Sequence, residues 1–483
     1  MNGERHMDDA SNGHVTRRQP DVSNGHTVGL NGNADISRRR ARLEDTGGFS
    51  FRLVNYTLVP IFLMLFSANI SLLLWHACAK HDGSFLAEYR SIAEQGLFRG
   101  LCRVWLDIDV LSRFSCLVIA GYCLFAVVLM KLVPGRKVYG PVTPKGHRPV
   151  YKDNGFSCFL ITMLTFGALQ FVLKTRYGLS ATVVYDRFGE FLVTLTVLSH
   201  VLCLALYFKG LYGPSTAEHG SSGNPIFDYY WGTELYPRLF GVDVKVFTNC
   251  RFGLTVWPLL VAIHALKSYE LHGFVDGMWV SGALQMAYFA KFFWWEAGYM
   301  RTMDIAVDRA GFYICWGCLV FVPGVYASVS MYLVGHPVRL GPCASCALSA
   351  VGVCALLVNY WADWQKLRVR DTGGRCTIWG GRPELIRASY VLESGEARHS
   401  LLLVSGFWGL ARHFHYIPEL VLALCWTLPA GFVHLAPYCY LVILTCILIH
   451  RTYRDDRKCS AKYGHFWSQY CDRVPYKMIP GLF

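Results

Sequence analysis

Two cations lie four residues apart at the polar end of a long apolar stretch. Lys366 and Arg370 belong to the run WADWQKLRVR, and residues at this spacing share one face of a helix. A fixed pair of cations suits a phosphate group, since Arg offers a planar fork of donors and Lys a point charge. The alternative is a pair of positive residues that anchor a span at the membrane surface, and the spacing alone favours this alternative.

A second polar segment, SGFWGLARHFHY, mixes aromatic and basic residues with small ones. Aromatic faces beside an Arg can clamp a flat heterocycle, although an aromatic belt at a membrane interface has a similar composition. Metal binding by its two His residues is disfavoured, because the chain lacks the repeated HxxxH and HxxHH boxes of membrane di-iron enzymes. The residues of interest here are Trp408, Arg412, His413, His415 and Tyr416.

Two further groups of ionisable residues lie at or within apolar stretches. Asp455 follows the last apolar run, where burial would favour its protonated form while Arg454 and Arg457 would favour the charged form. A carboxyl group that keeps its proton can act as a proton donor, and the sequence leaves this balance open. The stretch LQMAYFAKFFWWEAGY adds Tyr288 and Glu296. Ionisable groups within a span are costly, so they usually face a cavity or one another.

Membrane-spanning helices are expected to position these residues. The chain has 483 residues, of which 53% are hydrophobic and 16% are charged. A soluble domain has roughly one quarter charged residues. Several apolar stretches approach the ~20 residues that cross a bilayer. The sequence therefore predicts an all-α, polytopic membrane protein of about ten transmembrane helices within residues 49–483. These include a span near residues 275–295 and a pair within residues 419–450 that is split around Pro429 to Pro437.

Charge and cysteine usage argue against other classes. The net charge of +13 is explained by Lys and Arg residues that flank spans and contact anionic lipid, so no nucleic-acid partner is expected. The 18 cysteines are scattered through apolar runs, and Cys343 and Cys346 lack the second pair that a zinc site needs. We therefore predict no disulfide framework and no metal site.

The N-terminal residues 1–48 are rich in Asn, Gly, Asp and Arg, which predicts a disordered basic tail. The loop KLVPGRKVYGPVTPKGHRPVYKDNG is strongly basic, so we expect it on the cytosolic side of the membrane. The tail lies two crossings away from this loop. A cytosolic N-terminus is therefore predicted.

The chain resembles the sterol C14/C7 reductases, a family that includes the reductase domain of the lamin B receptor. The resemblance rests on GTELYPRLFGVDVKVF, LQMAYFAKFFWWE, YMRTMDI, DTGGRCTIWGGRP, SGFWGLARHFHY and RDDRKCSAKYGHFWSQYCDRVPYKMIPGLF. Within the family, SGFWGLARHF is similar to the branch of 7-dehydrocholesterol reductases, whereas C14 reductases typically read SGWWGxxRHPNY there. The resemblance implies a ten-span enzyme of the endoplasmic-reticulum membrane.

The resemblance further implies NADPH-dependent reduction of the C7–C8 double bond of 5,7-diene sterols taken from the bilayer, by protonation of the alkene and hydride transfer. Tyr288 and Asp455 match the polar pair that supplies the proton, and Glu296 and Tyr299 would lie beside the sterol. The cofactor pocket is expected within residues 361–483. Matching motif positions assign Lys366, Arg370, Leu403, Trp408, His415, Tyr416, Asp455, Cys459, Lys462, Tyr463 and Tyr470 to the NADPH site.

Departures from the family pattern keep alternatives open. His415 replaces an Asn, Phe252 replaces the Pro of an RPG motif, and Cys318 replaces the Asp of a WGD motif. A C14 reductase of the same family is the nearest alternative. An isoprenylcysteine carboxyl methyltransferase has similar C-terminal helices but fewer spans, and a lamin-B-receptor-like scaffold would need a folded domain in its tail. The sequence makes no prediction of the oligomeric state.

Overall fold

Long apolar helices make up most of the structure, a computed structural model described over residues 48–143, 145–393 and 395–483. The principal helices in chain order are α1 (Ser50–Lys80), α2 (Phe85–Glu94), α3 (Leu97–Leu106), α4 (Arg113–Leu132), α5 (Gly155–Tyr177), α6 (Phe188–Tyr212), α7 (Val244–His272), α8 (Asp276–Trp294), α9 (Phe312–Gly335), α10 (Pro342–Asp371), α11 (Tyr416–Thr427), α12 (Cys439–Tyr463) and α13 (His465–Arg473). Within the described residues, seven of them are long and apolar enough to cross a membrane: α1, α4, α5, α6, α7, α9 and α10. The predicted all-α, polytopic class is confirmed.

Three more helices, α8, α11 and α12, belong to segments for which the sequence predicts spans. The break predicted between α11 and α12 is present, as the turns Leu428–Ala430 and Ala436–Tyr438. Pro429 and Pro437 occupy these turns, where each removes a backbone donor that a continuous helix would need. The total of about ten spans stays a prediction. Short helices cover Val183–Asp186, Pro225–Trp231, Glu296–Tyr299, Met303–Ala306 and Phe407–Leu410.

Three antiparallel hairpins lie in connections between helices. They pair β1 (Arg136–Tyr139) with β2 (Val150–Asp153), β3 (Arg238–Leu239) with β4 (Val242–Asp243), and β5 (Leu385–Val391) with β6 (Ala397–Leu403). The longest hairpin runs in register from Leu385 opposite Leu403 to Val391 opposite Ala397. Its inner face packs against Tyr463 of α12 in a small apolar core. Leu403 lies in β6 and Tyr463 lies in α12, so the hairpin brings two segments with predicted cofactor residues into contact.

The centre of the bundle is formed by α7 and α9. In their most apolar windows 72% and 78% of the residues are buried, compared with 17% in α4 and α5, which therefore lie at the periphery. Trp257 of α7 packs edge-on against Trp426 and Tyr440, with ring centroids 6.3 and 5.2 Å away. Its Nε1 donates a hydrogen bond of 2.8 Å to Oε1 of Gln285, so the buried indole is satisfied.

Both central helices contain wide π-helical turns. These turns cover Phe247–Gly253 in α7 and Phe312–Tyr326 in α9, and such turns are frequent near functional sites. The two segments approach closely, since a Cβ atom placed on Gly253 would lie 2.7 Å from the carbonyl oxygen of Cys318. This contact explains why a glycine follows Phe252 at this position.

The predicted basic tail, residues 1–48, lies outside the described residues apart from Gly48. The boundary predicted at residue 49 stays a prediction.

Candidate functional site

Lys366 lies over the face of Trp408. Its Nζ atom is 3.9 Å from the centroid of the ring, which is a cation–π contact. The indole Nε1 donates a hydrogen bond of 2.8 Å to the carbonyl oxygen of Ala362, one turn earlier in α10, and this bond fixes the ring. Arg370 lies one turn after Lys366 and is exposed. The helix predicted to contain Lys366 and Arg370 is present, and Lys366 contacts the ring of Trp408 from it.

His413, Tyr416 and Asp455 form a second group. The rings of His413 and Tyr416 are stacked, with centroids 5.2 Å apart and planes at 9°. Nε2 of His413 and Sγ of Cys459 each lie 3.7 Å from Oδ2 of Asp455. Burial lowers the pKa of His413 to about 3, and the carboxyl group of Asp455 opposes this shift. His413 is therefore neutral at pH 7 and does not form an ion pair with Asp455.

His415 presents a polar atom without a partner. Its Nδ1 is buried and accepts or donates no hydrogen bond within the described part of the chain. The ring lies between Trp408 and Tyr416, with centroid distances of 5.0 and 4.3 Å. Burial lowers its pKa to about 3, so a neutral imidazole is available there. A neutral imidazole can make one hydrogen bond through this nitrogen, as the side chain of the family's Asn would.

The remaining predicted cofactor residues divide between the surroundings of Trp408 and the hairpin β5–β6. The hydroxyl of Tyr470 donates a 3.3 Å hydrogen bond to the carbonyl oxygen of Trp408, and Leu403 of β6 packs in the same buried cluster. Lys462 extends away from this cluster, with Nζ 4.0 Å from the ring centroid of Tyr390 in β5. The hydroxyl of Tyr463 lies 3.4 Å from Oγ of Ser400 in β6. Leu403 and Tyr470 therefore contact Trp408 or its cluster, whereas Lys462 and Tyr463 face the hairpin.

The loop of His413 is also supported by a segment more than sixty residues later in the chain. The backbone N–H groups of Arg412 and His413 donate hydrogen bonds of 3.0 and 2.8 Å to the carbonyl oxygens of Tyr476 and Lys477. These bonds fix the backbone directly before α11.

A buried polar chain connects this region with the interior of the bundle. Tyr288 of α8 interacts through its hydroxyl with the carboxyl group of Glu419 in α11. Nδ2 of Asn359 donates to Oε2 of Glu419 at 3.1 Å and to the backbone oxygen of His415 at 2.9 Å. Nζ of Lys291 donates a 2.6 Å hydrogen bond to Oδ1 of Asn359. The chain therefore runs from Tyr288 through Glu419 and Asn359 to the backbone of His415.

Glu419 was not among the site residues predicted from the sequence. Its signal was available, because Glu419 is a carboxyl group in the apolar run YIPELVLALCW, and such residues are functional candidates in a span.

The two predicted proton donors, Tyr288 and Asp455, have separate partners. The hydroxyl of Tyr288 interacts with Glu419, and Asp455 is near His413 and Cys459. Asp455 lies inside α12, about two turns before its end at Tyr463, so the helix continues beyond the last apolar run. The roles predicted for both residues stay predictions.

Glu296 lies in a buried ion pair. Both its oxygens accept from Arg251, and the longer of the two bonds, from Nη2 to Oε2, is 2.9 Å. The same Nη2 donates to Oδ1 of Asn154 at 2.9 Å, and the Arg251 and Glu296 side chains are 3% and 1% exposed. The hydroxyl of Tyr299 accepts a 3.2 Å hydrogen bond from Asn249. Glu296 therefore has a fixed structural partner, and the sterol contacts of Glu296 and Tyr299 stay predictions.

Comparison with known proteins decides the family. Residues 59–483 match the model of the ergosterol biosynthesis ERG4/ERG24 family. The chain belongs to this family. It is 45% identical over 424 residues to a 7-dehydrocholesterol reductase of Arabidopsis thaliana, a match that covers 87% of this chain and 96% of the relative.

Two further relatives carry different names within the family. The chain is 32% identical to a 7-dehydrocholesterol reductase of Xenopus laevis, over 97% of this chain and 99% of the relative. It is 35% identical to a Delta(14)-sterol reductase of Methylotuvimicrobium alcaliphilum, over 79% of this chain and 86% of the relative. The predicted resemblance is confirmed. This ERG4/ERG24 member is a multi-pass membrane protein and a sterol reductase.

Proposed function

We propose that this family member reduces the C7–C8 double bond of 5,7-diene sterols with NADPH, in the endoplasmic-reticulum membrane and with its N-terminus in the cytosol. One observation carries the proposal. The polar chain from Tyr288 through Glu419 and Asn359 connects the helical interior with the surroundings of Lys366 and Trp408. A proton donor in the bundle and a cationic, aromatic site beside it are the two parts that such a reduction requires.

The residues around Trp408 fit a dinucleotide cofactor. Lys366 and Arg370 offer positive charge for phosphate groups, and Tyr416 offers an aromatic face. His415 adds a buried ring nitrogen that lacks a partner, as expected of a group that binds a ligand. NADPH supplies a hydride when bound there. Lys366, Arg370, His415 and Tyr416 would hold and orient it.

The protein's own contribution to the chemistry is the proton and the exclusion of water. A carbon–carbon double bond without an adjacent carbonyl group accepts hydride poorly, so protonation of one alkene carbon must come first. Tyr288 donates this proton from its hydroxyl, and Glu419 returns a proton to Tyr288. Asn359 and Lys291 orient the carboxyl group of Glu419. The buried surroundings keep water from the cation that forms on the sterol.

The C7 assignment is supported by the motif SGFWGLARHF and by the 45% identity to a relative named 7-dehydrocholesterol reductase. A C14 reductase is the second candidate, because the bacterial relative is named Delta(14)-sterol reductase.

Yeast membranes that contain the protein should be supplied with NADPH and either a 5,7-diene or a 14-ene sterol. Mass spectrometry should detect loss of the 7,8 double bond. Reduction of the 14-ene alone would support the second candidate, and turnover of neither sterol would contradict the proposed function.

Removal of the Lys366 charge should weaken cofactor binding. In Lys366→Ala we expect the KM for NADPH to rise about ten- to one-hundred-fold, since a charge-assisted hydrogen bond contributes about 1.5–3 kcal/mol. The kcat should change little, because the contact is made equally in the ground and transition states. Initial rates at varied NADPH concentration measure both constants.

The matched control for this prediction is Arg368→Ala. Arg368 is an exposed cation of the same helix that lies over the ring of Trp364, 4.8 Å from its centroid. Its loss should leave the KM for NADPH unchanged. An unchanged KM in Lys366→Ala as well would show that Lys366 does not bind the phosphate.

A further inference from the structure

Two histidines and a glutamate meet at the end of α1. His76 lies in the last turns of α1, His81 directly follows the helix, and Glu88 lies in the first turn of α2. These three residues form the only cluster of His, Cys, Asp and Glu side chains with metal-ligand spacing among the described residues. The sequence prediction of no metal site did not consider them, because their spacing matches no common zinc motif.

The cluster lies at the opposite end of the bundle from the candidate cofactor site. Asp82 lies next to His81, and its Oδ1 is 3.1 Å from Nε2 of His336, shortly before α10 begins at Pro342. Lys366 lies 24 residues along this helix, which corresponds to about 36 Å. A ligand bound by the cluster would therefore not contact a cofactor bound at Lys366.

The distances within the cluster suit a metal ion. Nδ1 of His76 is 2.8 Å and Nε2 of His81 is 3.4 Å from Oε2 of Glu88. The three ligand atoms all lie within 4.8 Å of one another. Zinc bonds to nitrogen and oxygen are about 2.0–2.2 Å long, so tetrahedral ligand atoms are about 3.3–3.6 Å apart. The separation of His81 from Glu88 is already in this range, and that of His76 from Glu88 would have to widen by about 0.5 Å when an ion enters between them.

The chemistry of the ligand set also fits. Two imidazoles and one carboxylate bind zinc in sites that leave a fourth position open to water. A hydrogen-bonded His–Glu pair would explain His76, but it does not explain why the ring of His81 approaches the same oxygen of Glu88. Glu88 is only 4% exposed in its side chain, whereas the two imidazoles are 20% and 22% exposed. A buried carboxylate with two partly open imidazoles gives an ion both a strong ligand and an entry path.

The surrounding turn holds the three ligands in place. Ser84 caps α2 by accepting a 3.2 Å hydrogen bond from the backbone N–H of Ala87. Gly83 has a φ of +76°, and a Cβ atom there would overlap the ring of Tyr332 in α9. The turn therefore packs closely against α9, and this contact restricts movement of the turn.

We propose that His76, His81 and Glu88 bind one divalent transition-metal ion of the Zn²⁺ type. The ion ties the end of α1 to the start of α2 and stabilises this connection. Its fourth ligand is water, which reaches the ion past the two partly exposed imidazoles.

Zinc content of the purified protein tests this site. Protein without a histidine tag is purified in detergent, stripped with a chelator, equilibrated with micromolar Zn²⁺ and freed of unbound ion. Atomic mass spectrometry should find one zinc per chain in the parent and in the control His399→Ala, which removes an exposed histidine. We expect loss of the bound zinc in His81→Ala and in Glu88→Gln. An empty parent, or zinc retained by both ligand variants, would overturn the proposal.

A second measurement uses only the parent protein, in case the variants fail to fold. Co²⁺ added to the stripped parent should give the visible absorption bands of a four-coordinate site, and Zn²⁺ should abolish them. Absence of these bands would contradict the proposal. Because neither readout involves sterol turnover, their outcome is separate from that of the proposed function.

Discussion

Tyr288→Phe should lower sterol turnover by about 10²- to 10⁴-fold, because it removes the hydroxyl group proposed to deliver the proton. The aromatic ring remains and keeps its edge-on packing against Phe289 and Trp426, at 5.3 and 5.6 Å. The fold should therefore be retained. The KM for NADPH should change little, since Glu419 and Asn359 separate Tyr288 from the proposed cofactor residues. Sterol product measured by mass spectrometry in membranes with saturating NADPH gives the turnover.

Tyr440→Phe is the matched control for Tyr288→Phe. Tyr440 is a buried tyrosine in the same aromatic cluster, 5.9 Å from the ring of Trp426, and its hydroxyl lies near Tyr288 and Glu419 without a hydrogen bond to either residue. Its variant should turn over sterol at nearly the parent rate. Glu419→Gln should also lower turnover, because the amide cannot return a proton to Tyr288. Near-normal turnover in Tyr288→Phe would contradict the role of Tyr288 and leave Asp455 as the predicted proton donor.

Arg251→Met should destabilise the protein by about 3–5 kcal/mol, because it leaves the buried carboxylate of Glu296 without its partner. Met has a similar length and no charge, so the effect arises mainly from the lost ion pair. The amide of Asn154 would lose the same partner. Thermal unfolding in detergent, followed by tryptophan fluorescence, should show a much lower midpoint than for the parent.

The double variant Arg251→Met/Glu296→Met distinguishes lost charge pairing from lost packing. It should recover much of the stability, because no unpaired charge remains buried. Arg103→Ala removes an ion pair whose Arg103 and Asp107 side chains are 66% and 67% exposed, and it should leave the unfolding midpoint nearly unchanged. A midpoint for Arg251→Met equal to that of Arg103→Ala would show that the buried pair contributes little.

The sequence predicted what depends on local pattern. Apolar length predicted helices that are long enough to cross a membrane, and the prolines at 429 and 437 predicted the break between α11 and α12. The spacing of Lys366 and Arg370 predicted a shared helix, and α10 contains both residues. Each of these predictions depends on residues that are close in the chain, where periodicity and backbone chemistry are informative.

The sequence did not predict what depends on contacts between distant segments. Arg251 and Glu296 are 45 residues apart, and nothing in either segment identifies the other as its partner. Glu419 became a candidate only when α8 and α11 brought it to Tyr288. The cluster of His76, His81 and Glu88 was missed for another reason, because a turn and two helix ends are needed to bring the ligand atoms together.

The backbone bonds from Arg412 and His413 to Tyr476 and Lys477 have a consequence for the order of events during synthesis. The two segments are 64 residues apart (His413 to Lys477), which a ribosome covers in roughly 3–13 seconds at about 5–20 residues per second. During this interval the loop that carries His413 and His415 lacks its backbone acceptors. The candidate cofactor site can therefore be completed only after α12 and α13 have been made, so the nascent chain passes through a state in which the residues up to α11 have been synthesised and this site is incomplete.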